Sequence, residues 1–468
     1  MSSGVKDGRG GGAAAALLPG WVRGRLHDLG MAWVLLGLCV LFSALTWTEQ
    51  QPVGAAAARG VADDILAAHG PAPRVLVAVR GQPDDVAFAD SVAALLRQRG
   101  ATVVDVVKGE PRDARTVLGA VGVSGGPLDV IAASAASAAW ALFADLPGTF
   151  PALGTPAIVQ PRPYSWPNFL KTGNLLNIAN QIAVIAILAV GMTLVIITGG
   201  IDLSVGSLIA LASVVTALIV RDLAGGVGAG AWGMLLAGLG GVAVAALAGA
   251  LSGAVIVGFG IPPFIATLAM MLVAGGGASM LAEGQSVYQV PDSFMWLGRG
   301  ADLGLPNAVV LVLLLYAVAH VVMTRMTFGR WLFAVGGNRE AARLSGVPVA
   351  GTLLAAYVLS GALAGLGGVV MASQLKSGSP NFGQTYELYV IAAVVVGGTS
   401  LAGGEGSMVG TLVGALIIAV IQNGMNLVSV ESYTQRVVLG AVILAAVLLD
   451  RWRRAYQAVD QPPAAPHG

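Results

Sequence analysis

The chain has 468 residues, of which 56% are hydrophobic and only 10% charged, with a mean hydropathy of +0.80 and a formal net charge of +1. A water-facing surface of that size needs far more charge, which excludes a soluble enzyme; so neutral a chain also offers no electrostatic handle for nucleic acid. The single cysteine, Cys39, permits no intrachain disulfide or cysteine cluster, and the four histidines stand at no metal-binding spacing, so no catalytic centre, metal site or cofactor is expected.

Residues 1–30 carry Lys6, Arg9, Arg23 and Arg25 and read as a cytoplasmic segment, followed by an apolar stretch at 31–47. A secretory signal has the same pattern, and Gly54-Ala-Ala-Ala offers it a cleavage region. The long basic segment and the membrane segments that follow favour an uncleaved first helix.

Residues 48–173 break the apolar pattern, with ten Lys/Arg and eleven Asp/Glu. This is the composition of a small soluble domain. Strands are expected at 74–79, 102–107, 128–132 and 157–159, and helices at 83–99, 112–121 and 134–144. Asp84 and Asp85 suit a first helical turn, and Ser134 an N-cap. Alternating strands and helices imply a parallel, right-handed βαβ sheet.

Crossing roughly 30 Å of hydrocarbon takes about 20 helical residues. Stretches of that kind follow at 174–199, 203–220, 231–258, 262–282, 307–324, 350–372, 387–402, 408–428 and 433–450. With 31–47 they make about ten spans. Positive residues favour the cytoplasmic side of short loops. With the N-terminus inside, Arg325, Arg330, Arg339 and Arg343 fall inside, as do Arg451, Arg453 and Arg454, whereas the short outer loops hold only Arg221, Arg299 and Lys376. The expected fold is therefore an all-α polytopic membrane protein with both termini inside and a small α/β domain inserted outside the membrane. Its domains are a cytoplasmic segment 1–30, a first helix 31–47, the inserted domain 48–173, a transmembrane domain 174–450 and a cytoplasmic tail 451–468.

In the segment from Asn174 to Ser207 a long apolar run ends at Thr198-Gly-Gly, and Asp202 follows before the apolar pattern resumes. A carboxylate deep in hydrocarbon costs about 2.5–3.5 kcal/mol on insertion scales, so Asp202 is expected to face protein, water or a helix start. It either caps the next helix together with Ser204 or belongs to a gate, and the two roles are compatible. Polar residues within spans, Asn177, Asn180, Gln181, Thr193, Gln422, Asn423 and Asn426, serve either as a solute pathway or as interhelical glue. The glycine-rich 397–406 lacks the Lys-Ser/Thr of a phosphate loop, and no GxxxxGK[ST] occurs in the chain. It reads as a tight connection between two helices, and energy must come from another polypeptide.

The stretch GMTLVIITGGIDLSVGS is similar to the signature of the ribose, xylose, arabinose and galactose ABC permease family. The resemblance runs from Asn174 to Asp450 through IPPFIATLAMM at 261–271, FGRWLFAVGGNREAARLSGV at 328–347 and YELYVIAAVVVGGTSLAGGEGSMVGTLVGA at 386–415. It implies a permease subunit of a bacterial cytoplasmic (inner) membrane importer for a monosaccharide or related solute. It further implies a separate ATPase, an extracytoplasmic solute-binding protein and a second permease copy or paralogue. On its own, the inside loop 328–347 reads either as an amphipathic stub for a soluble partner or as a solvated loop that fixes topology. In the family the corresponding loop couples to the ATPase, and Gly329, Arg330, Gly336, Gly337, Asn338, Glu340, Ala341, Arg343 and Gly346 match that motif. Asp202, Ser204, Asn177, Gln181, Asn423 and Asn426 are the translocation and gate candidates.

Family members have only a short connection where residues 48–173 stand. The order RVLVAVRGQPDD, SVAALLRQRGATVVDV, LDVIAAS resembles one lobe of a periplasmic sugar-binding protein. A docking platform for a binding protein is the first reading, a solute sensor and an inert insertion the others. Two other classes remain for the whole chain: an ion-coupled secondary transporter with Asp202 as ion ligand, and a membrane receptor.

Overall fold

A computed structural model describes residues 20–124 and 126–459; the remainder of the expected cytoplasmic segment, 1–19, and the end of the tail, 460–468, lie outside the described residues. The chain divides into two compact units, Trp47–Asn168 and the segments on either side of it.

Helix α1 (Gly20–Leu45) begins the membrane unit. In the inserted unit, β1 (Trp47–Gln50) precedes α2 (Gly54–His69), β2 (Arg74–Val79), α3 (Pro83–Gln98), β3 (Thr102–Lys108), α4 (Pro111–Ser124), β4 (Val130–Ala133), β5 (Ala157–Val159) and β6 (Tyr164–Pro167). Strands β2 to β5 form a parallel sheet in the order β3-β2-β4-β5. Successive side chains of a strand point to opposite faces. Val75, Val77 and Val79 accordingly pack with Ile65, Phe88 and Leu96 of α2 and α3, while Leu76 and Ala78 pack with Leu118 of α4 and Phe143. Strands β1 and β6 pair antiparallel as a separate ribbon, Trp47 opposite Pro167.

One local expectation is corrected here. The helix expected at 134–144 is broken: Ser134 caps a single turn, Ala135–Ala138, and extended backbone at Trp140 precedes a 3-10 turn at Ala141–Phe143. The break lets the Trp140 ring lie 5.6 Å from Phe143 beside the α4 face of the sheet. Gly54-Ala-Ala-Ala, the region a cleaved signal would use, forms the first turn of α2, which buries Ala57, Ala58, Val61 and Ile65.

The membrane unit resumes with α5 (Thr172–Ile197), α6 (Val205–Leu218), α7 (Ala231–Phe259), α8 (Pro263–Leu281), α9 (Asn307–Arg325), α10 (Thr327–Gly337), α11 (Arg339–Leu344), α12 (Val349–Leu375), α13 (Tyr386–Val396), α14 (Met408–Leu427) and α15 (Ser432–Val459). Among the described residues seven helices are long and apolar enough to cross a membrane, and shorter apolar helices stand at Gly30–Leu45, Tyr386–Val396 and Ser432–Ala445. Helix α5 is the hub, buried without interruption from Ile182 to Ile197. Helices α7 and α12 meet backbone to backbone: a Cβ at Gly249 would strike the Tyr357 carbonyl, and one at Gly361 the Ala245 carbonyl. Lipid supplies no hydrophobic drive between helices, so this close approach of small residues is what holds them. The outward leucines of α7 and α9, among them Leu247, Leu251, Leu313 and Leu314, are exposed, as a lipid-facing surface requires.

The span expected at 387–402 is also corrected. Helix α13 has 11 residues and ends at Val396. The chain before it runs without regular structure from Ser377 to Thr385, alongside α6. Gly378 pairs with Val287 and abuts the Ser213 carbonyl, whereas Gly383 abuts that of Gly206. The irregular segment thus descends about 10 Å along α6 before α13 begins.

Candidate functional site

Nonhelical backbone at membrane depth survives only where protein buries it or where it lines a watery cavity. Here both conditions are met. The Ser379 N–H donates to Ser213 Oγ at 3.3 Å, and Ser286 Oγ donates to Ser379 Oγ at 3.0 Å. On the other side opens a cavity of about 490 Å³, lined by Ser207, Ser279, Asn381, Gln384, Thr385 and Glu387 together with Gly275 and Gly276 of α8. Thr385 takes a left-handed conformation, φ 66°, which turns the chain into α13 and sets Glu387 in its first turn. None of these residues was among the sequence-based candidates. Their signal is the cluster of Ser, Gly, Pro and Asn at 377–385 ahead of an apolar run too short to cross.

The candidates named from sequence fall into two groups at opposite ends of α5. Asn177 and Gln181 line a second cavity, of about 460 Å³, with Asn174, Asn180, Arg299, Gln374 and Asn423. Asn423 and Asn174 exchange amide bonds of 2.9 and 3.0 Å, Asn180 donates to the Gly298 carbonyl, and Gln374 donates to that of Asn180. These amides therefore join α5 to α12 and α14 and line a cavity at once. Asn426 stands apart, accepting from Gln435 at 2.8 Å.

Asp202 and Ser204 follow the other end of α5, which rises about 30 Å from Asn177 to Ile197. Asp202 is 1% exposed. Its Oδ1 accepts from the Ser204 N–H at 3.0 Å and from Ser204 Oγ at 2.6 Å, and its Oδ2 accepts from Ser360 Oγ at 2.8 Å. The carboxylate so ties the turn before α6 to the middle of α12, where a Cβ at Gly191 would strike Ser360. Beside it, the buried Tyr357 hydroxyl faces Gly200 with no partner among the described residues.

The three glycine-bearing motifs converge at this end. The Gly404 N–H donates to the Ile197 carbonyl at 2.8 Å, and Arg339 Nη2 donates to the Thr198 carbonyl at 3.2 Å. A Cβ at Gly336 would strike the Ile197 carbonyl and the Gly404 amide. Gly403 and Gly404 adopt φ of 87° and 76°, which only glycine takes without strain, and so the 397–406 connection folds into the junction. From it projects the 328–347 loop. Gly329 is buried and Gly336 half-buried, whereas Arg330 and Gly337 are exposed. Asn338 Oδ1 accepts from the Glu340 and Ala341 amides at 3.0 Å each and so caps α11. Arg343 pairs with Glu340 at 2.6 Å, and Gly346 turns the chain away with φ 80°. Ala342 anchors α11 by packing with Val335 and Leu353, leaving Glu340, Ala341, Arg343 and Leu344 facing outward.

A family model described as the permease component of branched-chain amino acid transport systems matches residues 174–447, more than half of the chain. The chain belongs to this permease family. The permease is similar to the ribose import permease protein of Escherichia coli K12, 45% identical over 288 residues covering 61% of this chain and 87% of that protein. It is 43% identical over 291 residues to the ribose import permease protein of Bacillus subtilis, covering 62% and 88%. With the L-arabinose transport system permease protein of E. coli K12 it shares 37% identity over 291 residues, covering 62% and 85%. No solved structure matches the permease. The family match begins after the inserted unit, so Asp202, the glycine junction and the broken span all lie within it and the α/β lobe outside it.

Proposed function

We propose that the permease is the membrane-spanning subunit of an ATP-driven, binding-protein-dependent importer for a monosaccharide or related polar solute. The observation that carries this reading is the 45% identity to a ribose import permease, which runs through most of that protein. The chain supplies no nucleotide loop; separate ATPase subunits drive alternating access through the exposed α10–α11 loop. An extracytoplasmic binding protein delivers the solute, and a second copy or a paralogue completes the pathway. The protein sits in the bacterial cytoplasmic membrane with about ten spans, both termini inside and the α/β lobe outside. Seven long apolar helices and three shorter ones support that count.

The solute path runs past the broken span. An ionisable group at membrane depth is costly and by default functional, and Glu387 stands there among hydroxyls and amides that can replace the water shell of a sugar. Glu387→Ala is expected to lower the maximal uptake rate about tenfold or more, with normal amounts of protein in the membrane. Unchanged uptake by this variant would move the path elsewhere. The transport reading itself is tested in vesicles holding the permease, its ATPase and its binding protein. ATP-dependent accumulation of a labelled pentose or hexose is the expected result; accumulation driven by an ion gradient without ATP would overturn it.

A further inference from the structure

The α/β lobe has a cavity of its own, about 350 Å³, formed entirely by its own residues, mostly apolar with a few polar groups among them. Its position follows from the strand order. The chain lays down β2, crosses to β3 on one side, then to β4 on the other. In open parallel sheets ligands bind outside the carboxyl ends of the strands at this reversal, because the two following loops part there. Arg80 follows directly on β2 and Ser134 on β4, and both line the cavity with Asp85, Gln51, Phe88 and Pro161.

The lining has a definite chemistry. Asp85 is only 6% exposed. Its Oδ2 accepts from Arg80 Nε at 2.8 Å, whereas its Oδ1 has no partner among the described residues. The Arg80 side chain is half exposed, and its terminal nitrogens donate to none of the described residues. A buried acceptor thus stands beside the open donors of the guanidinium, which is what adjacent hydroxyl groups satisfy, since each can both give and take a hydrogen bond. An anion is disfavoured because Asp84 and Asp85 already fill the first turn of α3, and a cation is disfavoured by Arg80. Phe88 and Pro161 give the cavity an apolar wall for the carbon face of such a solute.

We propose that this cavity binds a neutral polyhydroxylated solute, of the sugar or cyclitol class, through the Arg80–Asp85 pair. The site does not depend on the transport reading, because every residue in it belongs to the lobe. Binding to the purified full chain in lipid nanodiscs, without ATPase or binding protein, tests it by ligand-detected NMR. The probes are D-ribose, D-galactose, myo-inositol and, as the anionic control, ribose 5-phosphate.

Saturable binding of at least one neutral probe is expected, weakened about tenfold by Arg80→Lys, which keeps a charge for Asp85 but loses the planar fork. Asp85→Asn is expected to weaken it similarly. Arg80→Lys and Gln51→Ala change exposed side chains, so they decide the matter should Asp85→Asn fail to fold. The proposal is overturned if no neutral probe saturates at millimolar concentration, or if the phosphate binds more tightly than the neutral probes. Binding untouched by all three variants would also overturn it, because it would place the solute in the membrane unit.

Discussion

Charge reversal in the α10–α11 loop, Glu340→Lys or Arg343→Glu, is expected to abolish ATP-driven uptake while leaving the protein in the membrane. The two side chains pair at 2.6 Å but are 65% and 70% exposed. Such a surface pair contributes at most about 1 kcal/mol, so neither reversal endangers the fold. What changes is the pattern presented outward, in which Glu340 and Arg343 accompany the exposed Leu344 on a short helix whose one buried residue is Ala342. The double swap, Glu340→Lys with Arg343→Glu, separates two explanations. It restores the pair within the loop but inverts the charges a partner would meet. Uptake should stay lost in the double swap, and the ATPase should no longer co-purify. Normal uptake by both single variants would remove the coupling role from this loop.

The second large effect is expected at Asp202. Asp202→Leu leaves the Ser204 amide, the Ser204 hydroxyl and the Ser360 hydroxyl without their acceptor in a closed interior. Each orphaned group costs about 1–3 kcal/mol, so the variant should lose about 3 kcal/mol or more and unfold at clearly lower temperature in detergent. Asp202→Asn keeps one acceptor oxygen, and the Ser360 hydroxyl can turn to accept from the new amide; a loss of about 1 kcal/mol is expected. A wild-type melting curve for Asp202→Leu would refute the structural clamp. The pair of variants also separates the two roles set out for this residue: an Asn variant that folds normally but does not transport assigns the negative charge to gating.

The long spans were legible because one property, twenty or so apolar residues, is enough to specify them, and helices α7, α8, α9 and α14 match their expected bounds to within a residue. The lobe strands were legible for a related reason: RVLVAV is an apolar run buried on both faces, with the strand former Val at every second position. Other features carry no such single signal. Helix α2 is mostly alanine at its start, a composition shared with processing sites and linkers, and only packing of Val61 and Ile65 against the sheet identifies it. The span at 387–402 had the right hydropathy, but Gly397 and Gly398 within it belong to the glycine junction, where Gly397 abuts the Gly410 carbonyl. The site candidates show the same limit. Asn177 and Asn423 stand out as polar residues among apolar ones, yet the meeting of Gly336, Ile197 and Gly404 joins three segments far apart in sequence. No local pattern contains it.

The β1–β6 ribbon has a consequence for how such a chain could arise. Because Trp47 lies opposite Pro167, the polypeptide enters and leaves the lobe at neighbouring points, separated by about the 5 Å of an antiparallel pair. Seen from the helices, more than a hundred inserted residues close the same short gap as a tight hairpin would, and the entropic cost of a longer closed loop grows only logarithmically. The ribbon is thus a graft point. A small ligand-binding module can be spliced into, or lost from, the first loop of an existing permease without shifting the helices that carry its transport chemistry.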